Sequence, residues 1–504
     1  MKNVLEYLER AEKQSGCKIA VDDGKRCLTY QELHNLSQRI GSAISKYVPL
    51  GKPIAIILEK SSLTLAGIFG VVYAGCFYVP IQPNQPVARI NKILDLLKAD
   101  FIITDSKMVP LLESIGYQGE ILSLEKLMQE EIDWNILKKN RCQSKKTDCL
   151  YGISTSGSSG VPKVITVSHE SVIRFIDHFT ELFAISGEDR IGNQAPFDFD
   201  VSVKDIYSSI AVGATLVLIP KELFAIPPRL LDYLCEKEIT VLIWAVSALC
   251  ILSLMKGFDY RIPKQVKKVL FSGETMPVKQ LRIWQKALPE ALFVNLYGPT
   301  EITCNCTYYM IDKSFHEGDR IPIGRPFPGR EIVLMDEDCQ IITEAGVKGE
   351  ICVTGESLSE GYYNNPEENK LKFPEYQIHS HQLRRIYKTG DVGYYGTDNE
   401  FYYCGRKDFQ IKHMGHRIEL EEIERALMSA AGVEKGCCTY EYETKRLLGF
   451  YIGTVEPAHL RKQLKQKLPT FMIPGKLKNV EEIPVTKNGK ADRKKLLQQM
   501  KAGE

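Results

Sequence analysis

The stretch Ser154-Thr155-Ser156-Gly157-Ser158-Ser159-Gly160-Val161-Pro162-Lys163 follows a short apolar run, Leu150-Tyr151-Gly152-Ile153. Small hydroxyl residues and glycines let a backbone pass close to an anion and offer it amides and hydroxyls, and Lys163 adds a positive charge. The stretch therefore predicts a phosphate-binding loop after a buried strand. It is not a Walker loop, because it lacks the G-x-x-x-x-G-K-[ST] pattern. Taken alone, it is equally compatible with a flexible Gly/Ser turn.

Two later motifs carry groups that suit a nucleotide. Asn295-Leu296-Tyr297-Gly298-Pro299-Thr300-Glu301 would present an aromatic face, a hydroxyl and a carboxylate around a tight Gly-Pro turn. Tyr387-Lys388-Thr389-Gly390-Asp391 ends in a carboxylate that can accept hydrogen bonds from both hydroxyls of a ribose. Arg406, in the motif Gly405-Arg406-Lys407-Asp408-Phe409-Gln410-Ile411-Lys412, can reach the same sugar or a phosphate.

Together these motifs resemble the adenylate-forming superfamily, which includes acyl-CoA synthetases, luciferases and the adenylation domains of nonribosomal peptide synthetases. The matching blocks run in family order from about residue 28 to residue 493. Two positions depart from the family pattern: Val164 stands where a glycine is usual, and Glu360 stands where an arginine often precedes Gly361-Tyr362.

This resemblance implies an ATP site with Mg²⁺. It places Tyr297 against the adenine, Thr300 at the α-phosphate and Glu301 on the Mg²⁺. The implied ATP-binding residues are Thr155, Ser156, Gly157, Ser158, Ser159, Gly160, Lys163, Gly273, Glu274, Asn295, Tyr297, Gly298, Thr300, Asp391, Arg406 and Lys490.

The C-terminal motifs add the implied catalytic groups. Asn488-Gly489 is a turn former that would present Lys490 from a loop tip, and the family block Asn-Gly-Lys-x-Asp-Arg implies that Lys490 is the catalytic lysine. Thr300 and Arg417 complete the implied catalytic set. Asp408 matches the hinge between the two domains of the family. The pattern over 420–431 predicts a helix, and the acidic residues Glu421, Glu422 and Glu424 are typical of the first turn of an exposed helix.

The reaction implied by the resemblance has two steps. A substrate carboxylate attacks the α-phosphorus of ATP and releases pyrophosphate. No general base is needed, because the carboxylate is already ionised at pH 7. The small domain then turns about Asp408, withdraws Lys490 and admits the thiol of a phosphopantetheine arm past Gly415.

The family blocks also indicate where the acyl group would bind. Phe199-Asp200-Val201-Ser202 matches the start of the acyl pocket better than Phe197-Asp198, and an aspartate at Asp200 pairs with the substrate ammonium in amino-acid-activating members. Some of the lining resembles pockets that take serine, but Lys204 does not; it could meet an acidic side chain or extend to solvent. The implied substrate-binding residues are Asp200, Val201, Lys204, Ile243, Leu270, Ser272, Leu296, Cys304 and Asn305.

The sequence pattern predicts an α/β fold. Before residue 321, helical patterns (33–47, 63–74) alternate with short apolar runs (53–58, 101–104), which favours layered, mostly parallel sheets. Residues 321–403 alternate in short segments typical of antiparallel strands. We expect a large domain at 1–407 that includes this β-rich subdomain, and a small, mobile α+β domain at 408–504.

The charge balance and the apolar stretches of the sequence indicate which classes of partner and location to expect. Basic and acidic residues number 65 and 63, so net charge gives no reason to expect nucleic acid or an anionic membrane as the main partner. No apolar stretch approaches the ~20 residues that span a bilayer, and the N-terminus lacks a signal-peptide pattern, which predicts a cytoplasmic protein.

The expected partners are an amino acid and a separate carrier protein, because no carrier domain follows Arg493. The segment 405–424 also resembles the D-alanine–carrier-protein ligases. The alternatives are an acyl-CoA synthetase acting on a small carboxylic acid, against which Asp200 argues, and a non-catalytic relative, against which Lys490 and Glu301 argue.

Overall fold

The computed structural model describes residues 1–157, 162–378, 383–485 and 491–502. Helices α1 to α16 of this part of the chain are Leu5–Ser15, Tyr30–Ile44, Ser62–Tyr73, Val87–Leu97, Val109–Ile115, Leu124–Leu127, Trp134–Gln143, His169–Leu182, Val201–Val212, Pro227–Glu236, Val246–Leu254, Val278–Ala287, Pro366–Lys372, Leu420–Met428, Pro457–Lys465 and Arg493–Ala502.

The strands fall into three groups along the chain. Strands β1 to β14 are Ile19–Asp22, Cys27–Thr29, Pro53–Ile57, Phe77–Ile81, Phe101–Thr104, Glu120–Ser123, Cys149–Thr155, Lys163–Ser168, Arg190–Asn193, Thr215–Leu218, Val241–Ala245, Lys268–Ser272, Leu292–Tyr297 and Thr307–Met310. Strands β15 to β23 are Arg325–Pro326, Arg330–Met335, Ile341–Ile342, Lys348–Gly355, Gly361–Tyr362, Glu375–Gln377, Leu383–Arg385, Tyr387–Tyr395 and Phe401–Arg406. Strands β24 to β28 are Gln410–His413, His416–Glu419, Val433–Glu441, Arg446–Gly453 and Lys476–Asn479.

Two large mixed sheets form the body of the molecule. Within the described residues, one has nine strands in the order β15-β14-β13-β12-β11-β9-β10-β1-β2, and the other has seven in the order β19-β8-β7-β4-β3-β5-β6. Their central pairs, such as β3–β4 and β11–β12, are parallel. Helices such as α3, buried along almost its whole length, cover the sheet faces, as long crossovers between parallel strands require. The α/β class predicted from the alternating pattern is confirmed.

Helix α2 illustrates how local chemistry sets an element boundary. The apolar period predicted a helix over 33–47, but the helix begins at Tyr30 and ends at Ile44. Thr29 accepts a hydrogen bond from the Glu32 amide, and the Glu32 carboxylate accepts one from the Thr29 amide at 2.8 Å. This capping box satisfies free amides of the first turn and fixes the start three residues earlier than predicted.

The predicted antiparallel region is also present. Strands β16, β17, β18, β22 and β23 form an antiparallel sheet in the order β17-β16-β18-β22-β23. Asp391 lies in the middle of strand β22, opposite Arg406 at the end of β23 in the ladder. The pairing of these two strands therefore places two of the predicted site residues side by side.

The C-terminal part has a hydrophobic cluster of its own. Buried residues between Ile411 and Leu477 pack together around α14, α15 and the sheet β26-β27-β28. Helix α14 begins at Leu420 as predicted, but it is not an exposed acidic helix. Glu422 is 7% exposed at its side chain and lies 2.5 Å from Arg89 of α4. The interpretation of Glu422 as a solvated residue is wrong, because this carboxylate joins the C-terminal part to the body of the protein.

Candidate active site

A cavity of about 1080 Å³ lies between the two large sheets and the C-terminal part. Its volume is at the upper end of the range for small-molecule sites, about 300–1000 Å³. The predicted residues that line it are Thr155, Ser156, Asp200, Val201, Lys204, Ser272, Gly273, Gly298, Thr300, Cys304, Asp391, Arg406 and Arg417. The fold therefore brings together residues from six of the sequence motifs.

Other predicted site residues lie behind this lining or outside the described part of the chain. Ile243, Leu270 and Leu296 are fully or almost fully buried in the core. Seven other described residues are not among those that line the cavity: Gly157, Lys163, Glu274, Asn295, Tyr297, Glu301 and Asn305. Ser158, Ser159, Gly160 and Lys490 lie outside the described residues.

The hydroxyl-rich segment joins the antiparallel strands β7 and β8. The Ser156 hydroxyl donates to the Arg417 carbonyl at 2.9 Å, so this segment contacts the C-terminal part. The Lys163 ammonium lies 2.6 Å from Glu368 and 5.2 Å from the centre of the Tyr362 ring. The positive charge that the sequence offers to phosphate is thus paired with a carboxylate in this structure.

The Tyr-Gly-Pro-Thr-Glu motif turns out of strand β13 into a single 3₁₀ turn. A Cβ at Gly298 would lie 2.5 Å from the Cα of Asn305, so only glycine allows this close approach. Asn295 donates through its side-chain amide to the Pro322 carbonyl at 2.7 Å, and the Tyr297 hydroxyl donates to Asp391 at 2.6 Å. These contacts fix the turn that exposes Thr300 to the cavity.

Glu301 is fully buried and is paired with Arg417. The Arg417 guanidinium donates to both carboxylate oxygens, at 2.7 and 2.9 Å, and the Tyr362 hydroxyl donates at 2.7 Å. Burial alone would raise the pKa of Glu301, but the Arg417 charge and the Tyr362 hydroxyl outweigh it and hold this pKa at about 2. The carboxylate is therefore ionised throughout the physiological range.

Glu301 is the implied ligand of Mg²⁺, and its surroundings test that assignment. Among the described residues, no three His, Cys, Asp or Glu side chains cluster so that they could hold a metal. Mg²⁺ beside nucleotide phosphates commonly takes only one or two carboxylates, with phosphate oxygens and water as its other ligands. A single ionised carboxylate fits that role, provided that Arg417 first releases it.

Arg406 links Asp391 to Asp408. Its guanidinium lies 2.6 Å from Asp391 and donates two bonds, at 2.6 and 2.7 Å, to Asp408. Burial would raise the pKa of Asp408, but the hydrogen bonds and charge of Arg406 lower it below its ordinary value. The carboxylate predicted to bind a sugar and the residue predicted to be a hinge thus share one cation.

The hairpin of strands β24 and β25 inserts into the cavity. The Gly415 amide at its tip donates to Glu274 at 2.8 Å, and Lys445 lies 2.9 Å from the other oxygen of Glu274. Gly415 has φ +81°, and an added Cβ would lie 3.3 Å from Ala245. Both the backbone conformation and the narrow gap favour glycine at this tip.

Three cavity-lining residues of this hairpin were not predicted from the sequence: Gln410, Lys412 and His416. Lys412 lies opposite Arg417 in the hairpin, so the two side chains share one face, and this pairing could have placed Lys412 in the site together with Arg417. His416 stacks on Phe471, with ring centroids 3.7 Å apart, and meets Phe199 edge-on at 5.3 Å. Burial lowers the pKa of His416 to about 4, so its ring is neutral at pH 7.

A second part of the cavity is built on helix α9. Asp200 stands at the N-terminus of this helix, and burial raises its pKa although Thr300 and the lysines 204 and 412 lower it. Lys204, one turn further on, is only 1% exposed, so it does not extend to solvent. The rival Asp198 is held by Gln82 and Gln85, at 3.1 and 3.2 Å. Below, the Arg417 end denotes Thr155, Glu301, Asp391, Arg406 and Arg417, and the Lys204 end denotes Asp200, Val201, Lys204, Ser272, Cys304 and Asn305.

Comparison with known families identifies the class of protein. The sequence profile of the AMP-binding enzyme family matches residues 8–363. Zwittermicin A synthase ZmaJ of Bacillus cereus is 33% identical over 95% of this chain and 91% of its own. The D-alanine--D-alanyl carrier protein ligase of Bacillus licheniformis is 30% identical over 99% of both chains. The chain therefore belongs to the AMP-binding enzyme family.

The fold agrees with this family. The adenylation domain AlmE of Vibrio cholerae, solved with glycyl-adenosine-5'-phosphate, superposes with a TM-score of 0.86, at 22% identity over 100% of this chain and 98% of its own. The chain spans 45% of tyrocidine synthase 1 of Brevibacillus parabrevis, which is 29% identical over 98% of this chain. The protein is an adenylate-forming ligase that uses ATP. None of the helices among its described residues has the length and apolar character to cross a bilayer.

Proposed function

We propose that this enzyme activates an α-amino acid as its aminoacyl-adenylate and then transfers the aminoacyl group to the phosphopantetheine thiol of a separate carrier protein. The names of its relatives support this reading: one is a ligase of D-alanine and its carrier protein. Because the reaction consumes ATP, we place it in the cytoplasm.

The observation that carries the proposal is the position of Asp200. Its carboxylate lines the same cavity as Thr300, Asp391 and Arg406, and its charged neighbours Lys204 and Lys412 act on it without forming an ion pair within 4.0 Å. Asp200 is half-buried and hydrogen-bonded by Thr300, but no cation among the described residues contacts it, and a substrate ammonium would supply that opposite charge. The carboxylate of the same bound amino acid would then be the group that reacts with ATP.

The first step joins a substrate carboxylate oxygen to the α-phosphorus of ATP while the bond from that phosphorus to pyrophosphate breaks. We assign neutralisation of the negative charges to Thr300, the 154–163 loop and Lys490, with Lys490 assigned from its sequence motif alone. Mg²⁺ held by Glu301 and the phosphates would add positive charge at the same point. Asp391 and Arg406 are our candidates for the ribose, and Tyr297 for the adenine.

The position of the hairpin in this structure is compatible with the second step, the transfer to the carrier thiol. The hairpin tip at Gly415 lies in the cavity, and Arg417 occupies the carboxylate of Glu301. We propose that residues 408–504 form the mobile domain, that 1–407 form the adenylation core, and that Asp408 is the hinge between them. The carrier thiol would lose its proton and attack the acyl carbonyl, and AMP would leave.

Exchange of labelled pyrophosphate into ATP tests the first step. We expect exchange with an amino acid and not with its des-amino analogue. Asp200→Ala should raise the KM for every amino acid by ~10²-fold, since removing one partner of a buried charge pair costs several kcal/mol. Asp198→Ala, at the rival position, is the matched control and should leave the preference for the amino group intact.

The acceptor is tested separately. We expect the thioester to form on a phosphopantetheinylated carrier protein and not on free coenzyme A. Equal use of a des-amino acid, together with thioester formation on coenzyme A, would replace this proposal with an acyl-CoA synthetase acting on a small carboxylic acid.

A further inference from the structure

Lys204 is a buried cation in the wall of the cavity. Its side chain lines the cavity from the first turns of α9, yet the residue is only 1% exposed. Removing an ammonium from water is strongly unfavourable unless hydrogen bonds and an opposite charge compensate for it. The position therefore calls for a partner that the protein or a ligand must supply.

The described residues supply neutral partners in contact with Lys204. The ammonium donates to the Ser272 hydroxyl at 3.2 Å and to the Asn305 side-chain oxygen at 2.8 Å. None of the carboxylates among the described residues forms an ion pair with it within 4.0 Å. Since an ammonium has three donors, one remains for a group in the cavity.

Asp205 could be the missing countercharge, but it faces elsewhere. It is fully buried and accepts a hydrogen bond from Asn193 at 2.6 Å. Burial raises its pKa to about 7, so its negative charge is only partly present at neutral pH. Adjacent residues of a helix point in different directions, roughly 100° apart at 3.6 residues per turn. Asp205 thus points in a different direction from Lys204, and it leaves the side of the Lys204 ammonium that faces the cavity open.

The spacing of the two charges on α9 fits one kind of ligand. Asp200 and Lys204 are four residues apart, which places them on one face of the helix about 6 Å apart along its axis. A short amino acid with a carboxylate on its side chain can reach both, with its ammonium at Asp200 and its side-chain carboxylate at Lys204. Leu270 and Leu296 are buried and, being apolar, offer such a side chain no further polar partner.

We infer that the pocket selects an α-amino acid with a short acidic side chain, aspartate or glutamate, and that Lys204, Ser272 and Asn305 bind the side-chain carboxylate. This inference rests on the proposed function. A small neutral amino acid such as serine would fill the space beside Val201 and Ser272 but would leave the Lys204 ammonium buried without an anion. Lys204 therefore distinguishes this pocket from the serine-binding pockets that its other residues resemble.

The test is pyrophosphate exchange by the wild-type enzyme with both enantiomers of aspartate, glutamate, asparagine, glutamine, serine and alanine, and with succinate and glutarate. We expect kcat/KM for one acid to exceed that for its amide by ~10²-fold or more, because the amide has the same shape and lacks the charge. Preference for a neutral amino acid would overturn the inference and leave the proposed function standing. Exchange with succinate or glutarate as fast as with the amino acids would overturn the proposed function.

Two variants sharpen the result. Lys204→Met should reduce kcat/KM for the acid by ~10²-fold and spare neutral amino acids. Asn305→Asp changes few atoms and gives Lys204 a resident anion, so it should shift preference from the acid towards its amide by at least ~10-fold. Lys46→Met, which removes a surface lysine paired with Glu130, is the matched control. Unchanged acid preference in a folded Asn305→Asp enzyme would overturn the role of Lys204, even if Lys204→Met failed to fold.

Discussion

The charged side chains at the two ends of the cavity have different kinds of partner. At the Arg417 end, the protein pairs its own charges: Arg417 with Glu301 at 2.7 Å, and Arg406 with Asp391 at 2.6 Å. At the Lys204 end, the contacts of the buried cation with described residues are a hydroxyl and an amide, and no described residue forms an ion pair with Asp200. Glu301 and Lys204 are 0% and 1% exposed, so the difference between these two charges lies in their partners rather than in exposure to solvent.

The difference suggests two kinds of binding. Ligands at the Arg417 end must replace protein partners, so binding there is coupled to movement of the hairpin that carries Arg417. Ligands at the Lys204 end add partners to a site whose residues lie at the start of α9, at the end of β12 and in the connection before β14, none of which belongs to the hairpin. We therefore expect variants at the first end to separate the two steps of the reaction, and variants at the second end to change only the choice of substrate.

The largest effect is expected at Lys490, which the sequence motif makes the cation of the first step. Lys490→Ala should reduce adenylate formation ~10²-fold or more, because an oriented charge on the developing anion contributes several kcal/mol. Transfer from preformed adenylate to the carrier should survive much better. The measurement compares pyrophosphate exchange with single-turnover transfer, and equal losses in both would refute the role.

At Arg417 we expect a smaller effect of the opposite kind, in which transfer is slowed and adenylate formation is spared. Arg417→Met leaves the fully buried Glu301 without its cation, which should weaken insertion of the hairpin and slow transfer by ~10- to 100-fold. Adenylate formation should be spared, since Glu301 is then free for Mg²⁺. Arg417→Lys keeps the charge and serves as the control, with a smaller loss of transfer. If Arg417→Met slows adenylation more than transfer, the two ends do not differ in the way we describe.

The sequence predicted the elements of the fold better than their ends. Apolar runs located β3 and β5 within one residue, because strands buried on both faces contain few other residues. The start of α2 was missed although its signal was present: Thr29 and Glu32 have the spacing of a capping box. The end of α14, predicted at Ala431, falls at Met428 in the structure.

The site was predictable where it follows motifs and not where it depends on distant contacts. Motif residues such as Thr300, Asp391 and Arg406 do meet in one cavity. Pairing of Lys163 with Glu368, 205 positions away, could not be read from the sequence. The same holds for Lys204, whose burial depends on Ser272 and Asn305 from other parts of the chain.

The smallest expected effect concerns His416, which lies on the hairpin that also carries Arg417. Its folded-state pKa of about 4 lies below the ordinary value near 6.5, because burial, His413 and Arg89 outweigh the opposite effect of Glu274. The unfolded chain therefore binds more protons between these values. The stability that neutral His416 contributes is present above about pH 6.5 and is lost as the pH falls towards 4.

His416→Phe keeps an aromatic ring against Phe471 and removes the proton site. Between pH 7 and pH 5, the free energy of unfolding of the wild-type protein should fall by about 2 kcal/mol more than that of this variant. Urea unfolding at the two pH values measures the difference, and His459→Phe, at an exposed position on α15, is the control that should follow the wild type. If the His416→Phe protein loses stability as steeply as the wild type, His416 is not held neutral by its burial in the hairpin, and insertion of the hairpin does not depend on pH through this residue.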